Sequence, residues 1–287
     1  MSEDAIGILH PGEMGSAVGA ALRAAGTPVR WASEGRGPDT QRRAAAAGLQ
    51  DVGTLEQVLR ESAVIVSICP PAAVMDVAEA VARRGFCGTY VDANAVSPAT
   101  ARAAGAIIER AGAVFVDGGI IGPPPRTRGT TRIYLSGPAA QDVAARFAGS
   151  VLEAIALDGP LTAASALKMA YGGWTKGSAA LLMTMRALAI TEGVGDALLH
   201  EWERSIPGLA ARSERAVRDN ARKAWRFVGE MEEIAEALAT AELPDGFHRA
   251  AAEVYERLAA YKDAPTPPSA GEAYAALRQS AVSDHRR

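Results

Sequence analysis

Short apolar runs alternate with alanine-rich segments over the first 160 residues of the chain. Six runs have the length and composition of buried strands, at residues 5–9, 28–32, 63–68, 89–93, 113–117 and 132–136. Helical spacing follows the first two strands, at residues 12–25 and 40–47. Continuous apolar strands separated by helices are typical of parallel strands covered on both faces, so this part is expected to form a doubly wound α/β sheet.

The pattern changes after residue 160. Residues 162–190 form one long helical stretch, interrupted only by Gly172-Gly173 and Gly177, and residues 196–261 keep helical spacing without a convincing strand. Pro207 and Pro244 mark helix boundaries, and the segment 266–268 is expected to leave the domain. The expected architecture is an α/β domain at residues 1–160 followed by an all-α C-terminal domain at residues 161–287.

Composition narrows the class of protein. Hydrophobic residues make up 48% of the chain, and 30 basic against 33 acidic residues give a net charge of −3, which provides no footprint for nucleic acid or an anionic membrane. No apolar run reaches the roughly 18 residues of a membrane span, and the start of the chain is acidic rather than positively charged. Two cysteines and two isolated histidines, His200 and His248, predict neither disulfides nor a metal site. A cytoplasmic protein is expected.

A glycine turn joins the first strand to the first helix. Gly12, Glu13 and Met14 stand where a dinucleotide-binding turn presents N–H groups to a pyrophosphate, and Gly15 allows close packing of helix and strand. His10 replaces the usual first glycine, and Pro11 is expected to hold the turn by fixing φ. An ordinary strand-to-helix turn is the alternative. In this context the turn predicts a Rossmann-like dinucleotide-binding domain.

Residues after the second strand distinguish the two nicotinamide cofactors. Glu34 favours NAD(H), because a carboxylate binds a free ribose 2′-hydroxyl. Ser33 and Arg36 favour NADP(H), because a guanidinium binds phosphate through two parallel hydrogen bonds. We give Ser33 and Arg36 more weight, so NADP(H) is the expected cofactor.

Four segments in order resemble the β-hydroxyacid dehydrogenase and 6-phosphogluconate dehydrogenase superfamily. They are the glycine turn 12–15, the loop segment 64–71, the paired segments 91–98 and 115–122, and the lysine segment 168–172. Segments 225–227, 230–231 and 246–248 resemble a poorly characterised branch with its own C-terminal helical domain. The resemblance implies hydride transfer between a nicotinamide and a C–O or C–N centre, in a homodimer formed through the helical domain.

The resemblance also implies roles for single residues. Cys69 and Pro70 lie in the loop under the nicotinamide ribose, Gly118 and Gly119 bind substrate through their backbone, and Lys168 is the catalytic lysine. The alternative for the two glycines is a plain loop that requires positive φ.

Lys168 and Asn94 are also candidates from the residues alone. Lys168 stands in an apolar helical stretch, where burial lowers the pKa of an ammonium into a range useful for proton transfer. The alternative is a lysine whose stem follows the helix while its head reaches water. Asn94 follows the fourth strand, where its amide can bind substrate or the cofactor carboxamide and accept from Lys168. Its alternative is a turn cap before Ser97.

Two departures from the family limit the chemistry. Gly172 stands where the family carries a polar residue, usually Asn, and Thr175 replaces the acid of the sugar-phosphate enzyme, so decarboxylation of phosphogluconate is not expected. Tyr171 is a candidate proton donor and substrate contact in place of the missing amide, or an aromatic packing residue.

Three functions remain open. The leading one is an NADP(H)-dependent oxidoreductase that acts on a small hydroxy acid or keto acid, with Lys168 as proton donor and acceptor. The second is an imine reductase that uses Tyr171, and the third is an NADP-binding protein without catalysis.

Overall fold

The computed structural model describes residues 5–262 and 264–278. The acidic start and the charged end of the chain lie outside these residues. The chain divides into two compact units, the first ending at Met169 and the second beginning at Ala170. The expected boundary, between residues 160 and 161, lies just before a long helix, whereas the observed one lies inside it because the first turns of that helix bond to the sheet. The roles expected of the two parts remain predictions.

The first unit is built on a mixed, mostly parallel sheet. Its strands are β1 Ile6–Leu9, β2 Val29–Trp31, β3 Gln50–Asp51, β4 Val64–Ser67, β5 Thr89–Asp92, β6 Val114–Ile121, β7 Arg132–Ser136 and β8 Glu153–Ala156. They lie in the order β3-β2-β1-β4-β5-β6-β7-β8. β1 and β4 are buried along their whole length, as the continuous apolar runs predicted.

Helices cover both faces of the sheet. They are α1 Glu13–Ala24, α2 Pro38–Ala46, α3 Leu55–Glu61, α4 Val74–Ala82, α5 Pro98–Arg110, α6 Ala140–Arg146 and α7 Ala163–Gly172. Val18 of α1 and Val143 of α6 belong to the apolar core on one face, and Val58 of α3, Val74 of α4 and Ile108 of α5 to the core on the other. The expected doubly wound α/β fold is therefore confirmed.

Three features of the sheet differ from the expectation. β3 and β8 are additional strands that the sequence analysis did not predict. β3 consists of two exposed polar residues, whereas β8 is mostly apolar and only partly buried. β6 continues past residue 117 to Ile121. β7 runs antiparallel to β6, because residues 122–131 join them without a helix, and a parallel pair requires a crossover.

The second unit is helical throughout its described residues. After a π-helical segment, Gly173–Gly177, come α8 Ser178–Thr191, α9 Gly195–Ser205, α10 Leu209–Asn220, α11 Ala224–Thr240, α12 Gly246–Leu258 and α13 Ala270–Arg278. The helical path from α7 to α8 is continuous, and Pro207 and Pro244 lie between helices, as predicted. The expectation that segment 266–268 leaves the domain is wrong, because α13 follows it and buries Ala273, Tyr274 and Leu277.

No helix in the described part of the chain is long and apolar enough to cross a lipid bilayer.

Candidate functional site

The strand order reverses between β1 and β4. The chain proceeds from β1 outward to β3 and then returns to place β4 on the other side of β1. In open α/β sheets the ligand crevice lies at the carboxyl ends of the strands at such a switch point. The glycine turn follows β1 and Cys69 follows β4, so the sheet places these two predicted cofactor segments on either side of the crevice.

The glycine turn is closed by a hydrogen bond between His10 and Gly12 that spans Pro11. His10 takes the left-handed conformation, with φ of 65°, and its carbonyl accepts the N–H of Gly12 at 2.7 Å. A Cβ on Gly15 would lie 2.6 Å from that carbonyl oxygen, so Gly15 does allow the close packing expected of it. The expectation that Pro11 holds the turn by fixing φ stays a prediction, and the unusual φ in this turn belongs to His10 before it.

Gly12 leaves open space at the start of α1. A Cβ built on it meets no atom within 4 Å, and Gly12 is the N-cap residue of α1, at an end of the helix where anions bind. Glu13 is exposed, while Met14 packs against the core. The turn therefore fits a dinucleotide phosphate through its backbone.

A cavity of about 310 Å³ opens beside this turn, at the ends of β1 and β2. Its polar lining comes from His10, Glu34, Arg36 and Asp76, and its apolar lining includes Val77. Burial and the positive charge of Arg36 lower the pKa of His10 to about 4, which keeps the imidazole neutral at physiological pH. The cavity thus offers a cation and carboxylates beside apolar walls, a combination that fits the adenosine half of a dinucleotide.

Ser33 and Arg36 lie in one turn, where the Arg36 N–H donates to the Ser33 carbonyl at 3.0 Å, but they line different hollows. Ser33 lines a second hollow, of about 250 Å³, with Trp31 and Asp51, and its backbone N–H donates to Asp51 Oδ1 at 3.2 Å. Arg36 lines the first cavity, and burial lowers its pKa. Of the two residues predicted to hold a 2′-phosphate, Arg36 lines the cavity beside the glycine turn, and the role of both residues stays a prediction.

Asn94 joins the loops that follow β4 and β5. Its amide oxygen accepts the N–H of Cys69 at 2.5 Å, and its amide nitrogen donates to Asp92 Oδ1. Ser97 itself caps α5 by accepting the N–H of Thr100 at 3.2 Å, so Asn94 is not the cap of that helix. The buried Asn94 side chain positions the Cys69 backbone.

Burial raises the pKa of the Cys69 thiol to about 12, so the thiol is neutral. Pro70, beside it, is exposed and precedes the short 3₁₀ turn Pro71–Ala73 that leads into α4. The backbone of this loop lies next to the crevice.

Gly118 and Gly119 lie in β6 and not in a loop. They pair with Leu135 and Tyr134 of β7, and neither has a positive φ, so the alternative of a plain loop is wrong, while substrate binding through their backbone stays a prediction. Close packing explains the glycines instead. A Cβ on Gly118 would lie 3.3 Å from Ala93 Cα, and one on Gly119 would lie 3.1 Å from Lys168 Cβ.

Lys168 lies on α7 above the extension of β6 beyond the carboxyl end of β5. Its side chain is half-buried, and its ammonium donates a hydrogen bond to the carbonyl of Ile120. A fully buried ammonium was expected, and a head free in water was the alternative; the observed side chain matches neither. Gly118 packs against Ala93, next to Asn94, and the adjacent Gly119 packs against Lys168.

Three side chains that attach α7 to the sheet were missed in the sequence. Asp117 Oδ2 accepts the N–H of Ser165 at 2.7 Å, Asp117 Oδ1 accepts the Ser165 hydroxyl at 2.5 Å, and Ser136 Oγ accepts the N–H of Ala164 at 3.0 Å. Burial raises the pKa of Asp117, and the hydrogen bonds from Ser165 and Ser136 oppose that shift. Ser165, a serine in the first turn of α7, was a possible signal for one of the three.

Tyr171 lies on α7 one turn after Lys168, and 48% of its surface is exposed. Its carbonyl accepts the hydroxyl of Thr175 at 2.9 Å. Both the catalytic role and the substrate contact expected of Tyr171 remain predictions.

Two family models match the chain. One is described as the NAD binding domain of 6-phosphogluconate dehydrogenase and matches residues 5–164, more than half of the chain. The other is a domain of unknown function (DUF1932) and matches residues 189–258. No curated protein sequence matches the chain.

Solved structures resemble the chain over nearly its full length. MTH1747, a conserved protein described as structurally similar to 3-hydroxyacid dehydrogenases, is 27% identical, covers 90% of this chain and 98% of its own, and gives a TM-score of 0.68. The 3-hydroxyisobutyrate dehydrogenase of Mycobacterium tuberculosis, solved with L-serine, is 18% identical over 96% of this chain and 100% of its own, with a TM-score of 0.71.

A reductive aminase from Aspergillus terreus, in complex with NADPH and ethyl levulinate, is 18% identical over 96% of this chain and 100% of its own, with a TM-score of 0.57. At these identities the dehydrogenase and the aminase show the fold alone. Together with the switch-point crevice and the glycine turn, the family match identifies the chain as a pyridine-nucleotide-binding oxidoreductase that belongs to the 6-phosphogluconate dehydrogenase-like family, in a branch whose helical part carries the domain of unknown function.

Proposed function

We propose that the protein is an NADP(H)-dependent oxidoreductase that interconverts a small hydroxy acid and its keto acid, with Lys168 as the proton donor and acceptor. The observation that carries this proposal is the position of Lys168. Its ammonium is bonded to the carbonyl of Ile120 beyond the carboxyl end of β5, on the side of the sheet where a parallel α/β fold binds its ligand.

The proposed chemistry divides between cofactor and protein. When bound, the reduced nicotinamide supplies the hydride that attacks the substrate carbonyl carbon. Lys168 donates a proton from its ammonium to the carbonyl oxygen in the same direction and accepts it in the reverse direction. Asn94 acts through the Cys69 loop, whose backbone it holds.

A substrate panel tests this proposal. Purified protein is mixed with NADPH or NADH and with short keto acids, simple ketones and cyclic imines, and oxidation of the nicotinamide is followed by absorbance. We expect turnover on at least one keto acid and faster turnover with NADPH. Binding of NADPH without oxidation across the whole panel would instead favour a binding protein without catalysis.

Imine reduction is the second candidate, and the exposed phenol of Tyr171 on α7 supports it. The reductive aminase has the same fold, so the fold is compatible with imine reduction, but it does not distinguish imine reduction from reduction of a keto acid. Turnover of a cyclic imine that exceeds turnover of every keto acid, and that is lost in Tyr171→Phe, would replace the first candidate with this one.

The preference for NADP(H) is supported by Arg36, which lines the cavity beside the glycine turn. We expect Arg36→Ala to weaken NADPH binding about tenfold or more, because a charged hydrogen bond contributes about 1.5–3 kcal/mol, and to change NADH binding by less than about twofold. Glu34→Gln is the matched control on the same cavity and should spare NADPH binding. Isothermal titration gives both dissociation constants; equal losses for the two cofactors in Arg36→Ala would contradict the preference.

We also propose a homodimer formed through the second unit. Apolar side chains are exposed along the π-helical segment and α8, at Trp174, Leu181, Met185 and Leu188, and a contiguous exposed apolar stripe is typical of an interaction surface. Light scattering should give twice the chain mass of 29.7 kDa. Leu181→Glu should shift the protein toward monomer, whereas Leu243→Glu, an exposed leucine outside α8, should not. A monomeric wild type at micromolar concentration would contradict the dimer.

A further inference from the structure

The position of Lys168 depends on how α7 is attached to the sheet, because the lysine lies in the second turn of that helix. The attachment begins at Asp117, the last residue of β6 that pairs with β5. Both carboxylate oxygens of Asp117 are used by Ser165, one by its backbone N–H at 2.7 Å and the other by its hydroxyl at 2.5 Å. A single buried side chain therefore binds the first turn of α7 at two atoms.

Ser136 of β7 adds a second attachment beside the first. Its hydroxyl oxygen accepts the N–H of Ala164 at 3.0 Å and donates to the carbonyl of Leu161 at 2.9 Å. Asp117, Ser136 and Ser165 are all buried. Two successive N–H groups at the start of α7 are thus capped by side chains of the sheet, in place of the local caps that most helices use.

Three positions along β6 contact successive points of α7. Asp117 bonds to Ser165, Gly119 packs so closely that a Cβ there would lie 2.7 Å from the carbonyl oxygen of Ala164, and Ile120 accepts the Lys168 ammonium. Because these contacts follow one another along both elements, they fix the rotation of the helix about its axis as well as its distance from the strand. The direction of the lysine side chain is set by that rotation.

We propose that Asp117 is a positioning residue for Lys168 and acts through Ser165. The proposal rests on the proposed role of Lys168 in proton transfer. A carboxylate at a helix N-terminus also stabilises that end electrostatically, so the same contact holds the helix and orients it. Asp117 itself transfers no proton to substrate.

The test uses Ser165→Ala, which removes one bond to Asp117, and Asp117→Asn, which cannot accept from both Ser165 groups. Ser97→Ala is the matched control, because Ser97 is a buried serine that caps the unrelated helix α5. Two quantities are measured: kcat and KM on a substrate that turns over, and the rate at which an amine reagent modifies Lys168, followed by peptide mass spectrometry. The chain has four lysines, and exposed Lys223 serves as the internal reference.

We expect kcat to fall about tenfold or more in Ser165→Ala and Asp117→Asn with KM within about twofold, because misplacement of a reacting group by about 1 Å can cost 10²-fold. The modification rate of Lys168 relative to Lys223 should change at least about threefold in both variants and stay at the wild-type value in Ser97→Ala. Wild-type kcat and wild-type Lys168 modification in Ser165→Ala would overturn the proposal.

The modification rate also separates this proposal from the proposed function. Should Lys168→Ala retain full turnover, the proposed role of Lys168 fails, yet an altered modification rate in Ser165→Ala still supports positioning by Asp117. An unchanged rate overturns the positioning even where Lys168 proves essential for turnover. Ser165→Ala removes only a hydroxyl and keeps the backbone bond to Asp117. This variant can therefore be tested even if Asp117→Asn does not fold.

Discussion

His10 adopts a backbone conformation that few residues other than glycine occupy. A left-handed residue that carries a Cβ costs about 1 kcal/mol, and His and Asn are among those that tolerate it best. The neutral imidazole lines the cavity beside the glycine turn, where burial and Arg36 disfavour its charged form. The unfavourable backbone conformation therefore occurs at a residue whose side chain forms part of the cavity wall.

The lowered pKa of His10 predicts a pH dependence of stability. The folded value is about 4 and the unfolded value about 6.5, so the unfolded state binds the proton more tightly and stability is lost as the pH falls from about 6.5 to 4. We expect wild type to lose about 2 kcal/mol relative to His10→Asn between pH 7 and pH 4.5. Urea unfolding of both proteins measures this; a constant difference across that range would contradict it.

Cys69 and Cys87 provide a second test at the level of single residues. Burial raises the pKa of Cys69 to about 12, so only about one thiol in 10⁴ is ionised at pH 8. We expect iodoacetamide to modify exposed Cys87 in the folded protein and to leave Cys69 largely unmodified, with the Cys69 rate rising about tenfold per pH unit. In Cys87→Ser, any modification of the folded protein comes from Cys69. Equal modification rates for the two thiols in the native protein would contradict the raised pKa of Cys69.

At the level of single residues, candidate site residues could be predicted from the sequence, but their hydrogen-bond partners could not. The glycine turn, Lys168 and Asn94 were found because each stands beside a recognisable strand or helix. The partners of these residues were not, because a side chain such as Asn94 can bind a ligand, a cap or a neighbouring loop with the same atoms. Only coordinates show that it accepts from Cys69.

At the level of elements, the contact between β6 and α7 determines where Lys168 lies. Gly118 and Gly119 suggested a loop, since glycines favour turns, but here they allow a helix to pack against a strand without side chains between them. Asp117 and Ser165 are 48 residues apart, and no periodicity in the chain connects them. Contacts of this kind form after the elements assemble, so local patterns cannot predict them.

The π-helical segment is the second element with a distinct packing reason. His248 of α12 packs against it, and a Cβ on Gly177 would lie 3.0 Å from His248 Nε2. The same imidazole nitrogen lies 3.2 Å from the carbonyl oxygen of Gly173. Glycines that looked like interruptions of a helix therefore make room for a side chain of another helix.

Alanine substitutions test that packing. Gly229→Ala, in the interior of α11 where a Cβ meets nothing within 4 Å, should stabilise the protein by about 0.5–1 kcal/mol through helix propensity. Gly177→Ala should destabilise it by about 1 kcal/mol, because the new methyl group crowds His248. In a His248→Ala background, Gly177→Ala should become stabilising. Thermal unfolding of Gly229→Ala, Gly177→Ala, His248→Ala and the double variant measures these changes in stability. Equal stabilisation by Gly229→Ala and Gly177→Ala would contradict the packing argument.

At the level of the whole molecule, the order of elements was predictable and the sheet edges were not. Alternating apolar strands and helices specified the central strands and the switch from α/β to all-helical structure. β3 and β8 pair at the two edges of the sheet. β3 has two polar residues and therefore no hydrophobic pattern, and β8 is a short apolar segment that the sequence analysis did not single out. β7 is antiparallel to β6 because the connection between them contains no helix. That connection can be recognised only when the end of β6 and the start of β7 are known.

The role of Lys168 is the central claim, and the rate of nicotinamide oxidation by Lys168→Ala tests it most directly. With a substrate that the wild type turns over, we expect kcat to fall about 10²–10⁴-fold, the range that a positioned proton donor contributes. The NADPH dissociation constant should remain within about twofold of wild type, because the cofactor segments lie on other elements. Wild-type turnover by Lys168→Ala with unchanged NADPH binding would contradict the account.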